Sequence, residues 1–365
     1  MPKVLVDATP CLYTSSGVGR VTENLLRHMV ELDECPELTL YSRSLKKSIS
    51  NFDQCRKYHV KLPEKLEWII SLSNMIKRKN KDCQLFHATD HAMPIKYPGK
   101  TLATVHDLIF LKSPEAHMSK IHAKMTKTVP PYVKQCKHII SCSEYTKNDL
   151  IEIMGIPADK ITVIPWGIDQ TLFSTPENID EIKEALKQEL NIDFPYFLGV
   201  SCSTGRKNTP MLLEAYSKLL EKNPDNHLVL VWAPPEDIKE KYRHTNIHFT
   251  GKVSDAALRM LYQAATATVY PSKYEGFGLP VLESMKCGTP VICSNVTSLP
   301  EVGGDIAKYI DPENCESLVA ELSNFDNGKY DFEKLRIDGI AHAEKFSWEE
   351  CARKTIKVYE RCINE

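Results

Sequence analysis

Glu275-Gly-Phe-Gly-Leu-Pro-Val-Leu-Glu283, followed by Ser284 and then Cys287-Gly-Thr-Pro-Val-Ile292, is the stretch on which the fold and the chemistry of this 365-residue chain turn. Two carboxylates stand eight positions apart across a turn of alternating glycines. Gly276 and Gly278 let the backbone approach a ligand closely, and Pro280 suits the first turn of a helix. The N–H groups of such a helix start point at an anion. Glu283 then falls about one turn into the helix, placed to accept hydrogen bonds from hydroxyls of whatever carries the anion. A sugar nucleotide has both parts. The competing reading of the same stretch is a loop and helix that pack a core, with glycines for turns only.

On either side of this stretch, strands and helices alternate along most of the chain, the pattern of a parallel sheet covered on both faces. In the first half strands are expected over residues 4–6, 38–41, 85–87, 101–105, 138–141 and 162–164, and helices over 18–31, 64–76, 119–134 and 144–154. A second series has strands over 196–200, 228–231, 247–250, 267–270 and 291–293. Between the two series, Pro165-Trp-Gly-Ile-Asp169 and Phe173-Ser-Thr-Pro176 carry the turn residues of a linker. The expectation is an α/β chain of two Rossmann-like domains facing each other across a cleft, residues 1–170 and 171–347. Residues 348–365 end the chain as an amphipathic helix. No internal repeat stands out beyond the general likeness of the halves.

Bulk properties fit a soluble enzyme with room for two cores. Apolar residues make up 42% and charged ones 26%, which excludes disordered and fibrous classes. No apolar run is long enough to span a bilayer, and the start Met-Pro-Lys-Val-Leu-Val-Asp7 reads as a first strand rather than a signal peptide, so a cytoplasmic protein is expected. Twelve cysteines are scattered singly with no C-x-x-C pair, which reads as reduced thiols and no metal site.

Charge is uneven although the net is −2. Residues 1–170 hold 24 Lys+Arg and 18 Asp+Glu, hence +6, and the remainder 22 and 30, hence −8. Residues 43–81 alone hold 11 basic and 3 acidic side chains, among them Arg43, Lys46, Lys47, Arg56, Lys57, Lys61, Lys77, Arg78 and Lys79. A solvated face explains this as well as attraction to an anionic membrane surface or a lipid-linked acceptor does. Nucleic acid is not expected, since no aromatic or helix-turn-helix pattern accompanies the charge. Around residues 64–79, Leu66, Ile69, Ile70 and Ile76 recur at helical spacing with Trp68 and Leu72 nearby, which suits an interfacial helix or a core-facing one.

Ligands of facing Rossmann-like sheets bind just beyond strand ends, so candidates are sought there. Arg206-Lys207-Asn208 follows the strand at 196–200 and offers a fork and a point charge to a diphosphate. Basic pairs are common in loops, and its position ahead of Glu275 to Glu283 is what gives it weight. Thr104-Val-His106-Asp-Leu108 ends another strand with an imidazole and a carboxylate, a pattern that serves structure as readily as catalysis. Gly17-Val-Gly19-Arg20 opens the first helix, but the G-x-G-x-x-G fingerprint is broken at Thr22, which argues against a nicotinamide dehydrogenase.

Together these motifs resemble glycosyltransferase family 4, the retaining group 1 transferases of GT-B architecture. Further matches are Ile140-Ser-Cys-Ser143-Glu-Tyr-Thr-Lys147, Val163-Ile-Pro-Trp-Gly-Ile-Asp169 and Ser298-Leu-Pro-Glu301. The resemblance runs from about residue 4 to residue 322 and is weakest over 43–81. Two departures stand out: Trp166 occupies a place where Asn is more usual, and Val200 and Ser201 stand where some members carry an earlier arginine.

The resemblance implies transfer of a hexose, mannose favoured, from GDP-mannose or a UDP-hexose to a hydroxyl of a glycan or lipid-linked acceptor in polysaccharide or lipopolysaccharide synthesis, at the inner face of the membrane. It implies that Arg206 and Lys207 hold the diphosphate, that Glu283 binds the ribose hydroxyls, and that Glu275 with Gly276, Phe277, Gly278 and Leu279 positions the sugar. His106 faces that sugar, Gly17 and Gly19 approach the phosphates, and the final helix crosses back to the first domain. No Asp-x-Asp occurs, so no metal and no cofactor are expected, the cations and helix starts taking the leaving charge. The alternatives carried forward are a GT-B epimerase or phosphorylase, and a non-catalytic carbohydrate or nucleotide binding module.

Overall fold

The computed structural model describes every residue except 14–15, 62–69, 92–96, 113–119, 201–202, 204 and 244, and of 70–73 and 120–122 it describes the backbone alone. The chain divides into two compact units, Met1–Gly167 with Ser347–Glu365, and Ile168–Phe346.

In the first unit the strands are β1 (Lys3–Asp7), β2 (Glu37–Arg43), β3 (Arg56–Val60), β4 (Leu85–Ala88), β5 (Thr101–Val105), β6 (His138–Ser141) and β7 (Ile161–Val163). They form one parallel sheet in the order β3-β2-β1-β4-β5-β6-β7. Its central strands are continuous apolar runs because helices cover both faces. Val4, Leu5, Val6, Leu85, Phe86, Leu102 and Ala103 are all fully buried. β3 was not expected from the sequence. It is an edge strand whose Arg56 and Lys57 stay exposed, so no apolar run marks it.

The helix Gly17–Met29 starts at Ser16, whose Oγ accepts from the Gly19 N–H at 3.0 Å. It packs against the final helix, Trp348–Asn364, which lies in this unit as expected. The final helix is fixed to the sheet by Tyr359, whose hydroxyl lies 2.7 Å from His87 Nδ1, while His87 Nε2 lies 2.8 Å from Thr104 Oγ1. Burial pushes the His87 imidazole down to about 3, so it stays neutral there. Gly167 closes the unit: a Cβ at that position would stand 2.1 Å from the Trp348 nitrogen.

Part of the basic segment is absorbed by the fold. Arg43 is buried, Arg56 pairs with Asp82 at 3.2 Å, and Lys57 pairs with Asp53 at 3.0 Å. The expected helix over 64–76 is described as Ile70–Lys79, and residues 64–69, with Leu66, Trp68 and Ile69, lie outside the described residues. Ile76 is fully buried in the core, not interfacial, while Lys77, Arg78 and Lys79 are exposed. Among the described residues no helix is long and apolar enough to cross a membrane.

In the second unit β8 (Phe197–Gly199), β9 (Leu228–Leu230), β10 (Ile247–Phe249), β11 (Ala267–Tyr270), β12 (Val291–Ser294) and β13 (Lys308–Ile310) form a second parallel sheet, ordered β10-β9-β8-β11-β12-β13. This is the doubly wound order whose direction of winding reverses between β8 and β11. Their register sets Phe197 opposite Ala267 and Gly199 opposite Val269, so the segments that leave the two strands start side by side. β13, another edge strand, was also not foreseen.

Candidate active site

A ligand site in an open α/β sheet forms where the winding reverses, beyond the carboxyl ends of the strands. In the second unit that place lies between β8 and β11. Beyond β8 the chain makes a 3-10 turn, Gly205–Lys207, then passes through Asn208 in the left-handed region (φ 55°) into the helix Thr209–Lys222. Asn208 tolerates that backbone and anchors it, its Nδ2 donating to the Pro312 carbonyl at 2.8 Å.

This geometry brings Arg206 and Lys207 onto Glu275 from beyond β11. Arg206 Nη1 donates to Glu275 Oε2 at 2.7 Å and to the Tyr274 carbonyl at 3.2 Å. Lys207 Nζ donates to Glu275 Oε1 at 2.7 Å and to the Tyr270 hydroxyl at 2.5 Å, which in turn donates to Glu275 Oε1 at 2.9 Å. The ammonium also lies 4.7 Å from the centre of the Tyr270 ring. Burial drives the Glu275 carboxyl up, but Lys207 and Arg206 outweigh it and hold the group below the usual carboxylate range. The Lys207 side chain is 13% exposed and that of Arg206 39%, so the second cation faces outward more freely.

The glycine turn is held by the residues that follow β12. Ser298 Oγ lies 3.0 Å from the Glu275 carbonyl and 2.7 Å from that of Phe277, and Thr297 Oγ1 accepts from the Glu275 N–H at 3.2 Å. Gly278 adopts φ 115° and leads into the helix Leu279–Lys286, with Pro280 in its first turn. A Cβ on Gly278 would stand 2.7 Å from Leu299 Cδ2 as well as strain that backbone. Glu283 sits one turn into the helix, buried, its Oε2 accepting from the Tyr262 hydroxyl at 2.9 Å. The two carboxylates therefore live in different company, one among cations and one against a phenol.

In the first unit, His106 follows β5 and is buried. Its Nε2 lies 2.7 Å from the Thr89 carbonyl oxygen. A carbonyl only accepts, so Nε2 carries the proton and Nδ1 is left as an acceptor, without a partner among the described residues. Burial lowers the His106 pKa against the opposing pull of Asp90, which keeps the ring neutral. Trp166, at the position unusual for its type, packs on this ring with centroids 5.2 Å apart. Gly19 has a packing reason of its own, since a Cβ there would lie 2.4 Å from the Tyr13 carbonyl oxygen, whereas Gly17 faces open space. The Gly19 N–H is already taken by Ser16.

The structure thus gathers Arg206, Lys207, Glu275, Gly276, Phe277, Gly278, Leu279 and Glu283 around one sheet end, and His106, Gly17 and Gly19 within the other unit. Sequence reading missed Tyr270 and Tyr262. Both read as strand or helix core residues, and only their hydroxyls reveal the role. Ser298 was legible as a motif residue, but not what it holds.

Residues 178–336 match the family model described as glycosyl transferases group 1, and residues 15–172 match that of glycosyltransferase family 4. Among curated proteins, the chain is 29% identical to O-antigen chain mannosyltransferase B of Escherichia coli, over 98% of this chain and 99% of that one. It is 27% identical to the serotype-specific mannosyltransferase WbdA of Escherichia coli over 73% of this chain, which spans 34% of that protein. Among solved structures, sucrose-phosphate synthase from Thermosynechococcus elongatus superposes with a TM-score of 0.78 at 19% identity, covering 99% of this chain and 98% of that one. Anabaena HepE in complex with UDP and glucose superposes with a TM-score of 0.75 at 16% identity, over 99% and 100%. At such identities these likenesses speak for the fold.

Proposed function

Given that the chain belongs to the group 1, family 4 glycosyltransferases, we propose that it moves mannose from GDP-mannose to a hydroxyl of a growing surface polysaccharide or lipopolysaccharide chain, with the anomeric configuration retained. The observation that carries the reading is the pair Arg206 and Lys207 closed on Glu275 where the second sheet reverses its winding. A buried carboxylate that holds two cations in place keeps them preorganised for a diphosphate, and preorganised charge is usually the largest single contribution to stabilising a leaving anion. The full-length likeness to a mannosyltransferase favours mannose over glucose as the transferred sugar.

In this reading the diphosphate takes over the outward-facing donors of Arg206 and then those of Lys207, and Glu275 shifts its hydrogen bonds toward the bound sugar. Glu283 receives the ribose hydroxyls. His106 accepts a hydrogen bond from a substrate hydroxyl through Nδ1. Retaining glycosidases place two carboxyl groups about 5 Å apart and use one as the nucleophile. Glu275 and Glu283 do not share that role, because the first is bound up with cations and the second with Tyr262. Attack by the acceptor on the face the diphosphate leaves, with the leaving phosphate as the base, needs neither as nucleophile.

The test is nucleotide release from a panel of sugar nucleotides, with and without a mannoside acceptor. GDP-mannose is expected to be turned over faster than any UDP-hexose, and the product to show the donor's anomeric configuration by NMR. Turnover of a UDP-hexose alone would replace mannose, and an isomerised sugar nucleotide without transfer would favour the epimerase reading.

A further inference from the structure

The glycine turn that carries Glu275 is gripped by three consecutive residues of the segment beyond β12. Thr297 Oγ1 accepts from the Glu275 N–H at 3.2 Å, and Ser298 Oγ reaches the Glu275 and Phe277 carbonyls at 3.0 and 2.7 Å. Leu299, fully buried, closes on Gly278, where a Cβ would meet its Cδ2 at 2.7 Å. Both polar groups of the Glu275 backbone are therefore taken by one dipeptide, Thr297-Ser298.

Each member of that dipeptide forgoes local stability. Thr297 lies in the left-handed region with φ 60°, where a β-branched side chain is an outlier. Asn191 and Asn208 adopt the same backbone with a residue type that tolerates it. A turn that only joined β12 to the helix Leu299–Gly303 would be better served by Gly or Asn at 297. Ser298 stands at the N-cap of that helix, where a serine hydroxyl ordinarily accepts from the first turn, yet it makes no such bond. Strain of this kind persists only where the surroundings over-determine it, and it clusters at functional sites. What the two hydroxyls hold instead is the Glu275 peptide, and through it the direction in which that carboxylate leaves the turn toward Lys207 and Arg206.

We propose that Thr297 is a positioning residue of the donor site: its hydroxyl and its left-handed backbone, together with Ser298, set the aim of the Glu275 carboxylate. The consequence for turnover rests on the transferase reading; the hold on the backbone does not. Thr297→Val keeps the branched shape and removes the acceptor. Thr297→Gly removes it too, in a residue that adopts this backbone freely, and Thr297→Ser keeps it. In the full chain, hydrogen exchange of the peptide spanning 274–279 is expected to be faster in the Val and Gly variants than in wild type, and the Ser variant to match wild type. With GDP-mannose as donor, Val and Gly are expected to lower kcat/KM by up to about a hundredfold, the scale set by a misplacement of about 1 Å, and Ser to restore it. The acid limb of the kcat/KM profile should also move to higher pH in Val and Gly, because burial drives this carboxyl up once Lys207 and Arg206 no longer oppose it. Loss of folded protein would lower the profile without moving it. Unchanged exchange or an unmoved acid limb in the folded variants would overturn the proposal, as would a Ser variant as impaired as Val. If wild type turns over no sugar nucleotide, the transferase reading fails, and the exchange pattern alone decides whether the hold on Glu275 stands.

Discussion

Lys207 is held on two sides, by the Glu275 carboxylate and by the Tyr270 hydroxyl and ring, so its ammonium has one place to be. Loss of a preorganised contact to a developing anion costs about 2.7–4 kcal/mol, so Lys207→Ala is expected to slow transfer roughly a hundred- to thousandfold with circular dichroism unchanged. Near wild-type turnover would remove Lys207 from the donor site. Glu283→Ala is expected to lose as much activity but also stability, because the buried Tyr262 hydroxyl is left without its acceptor, at a cost of about 1–3 kcal/mol. Glu283→Gln, which can still accept, should recover the stability and not the turnover. The Glu275 carboxyl, held low by Lys207 and Arg206 against burial, gives a pH dependence of definite sign. As pH falls through the ordinary value of 4.5 the unfolded chain takes up the proton first, so the stability this group contributes is present above that pH and lost as pH falls toward the lower folded value. Thermal melts of wild type and Glu275→Gln between pH 3 and 6, on the order of the window this linkage spans, should differ in slope there; parallel curves would refute the argument.

At the scale of elements, the final helix and the sheet edges carry the lesson. Trp348–Asn364 was legible from its amphipathic spacing, but its seat was not, because that depends on partners far earlier in the chain: the helix Gly17–Met29 it packs against and His87, which bonds Tyr359. Tyr359→Phe leaves the His87 nitrogen buried and unpaired. The expected loss is about 1–3 kcal/mol, which in a domain of this size lowers the melting temperature by roughly 2–4 °C per kcal/mol. An unchanged melting temperature would show that the helix is held by packing alone. The edge strands β3 and β13 were missed because an edge strand needs no continuous apolar run and these two open on charged residues, Arg56 and Lys57 in one and Lys308 in the other. The central strands were found almost to the residue because both of their faces are buried.

For the whole molecule, the cationic pair and the exposed basic run lead to separate tests. Transfer is expected to survive EDTA, since in the function proposed above Arg206 and Lys207 take the place of a divalent ion. Complete loss on chelation, restored by a divalent ion, would overturn that view of the leaving group. Charge reversal at Lys77, Arg78 and Lys79, exposed at the end of their helix, is expected to weaken binding to anionic liposomes at low salt and leave donor turnover unchanged. A wild-type protein that ignores such liposomes would point to an acceptor free of any membrane. With Arg43 buried and Arg56 and Lys57 paired, the remaining basic surface is smaller than composition suggests.

The two parallel α/β sheets, the glycine turn with its helix one residue past Gly278, and the adjacency of Arg206 and Lys207 were legible in the sequence, because strand runs, turn glycines and charged pairs leave local marks. What those groups touch emerges from the folded chain. That Glu275 pairs with both cations, that Tyr262 holds the Glu283 carboxylate, and that Asp7, Arg43 and Asp90 line one cavity are contacts between segments far apart in the chain. Such contacts are set by strand order and register, and no local pattern of residues encodes a partner tens of positions away.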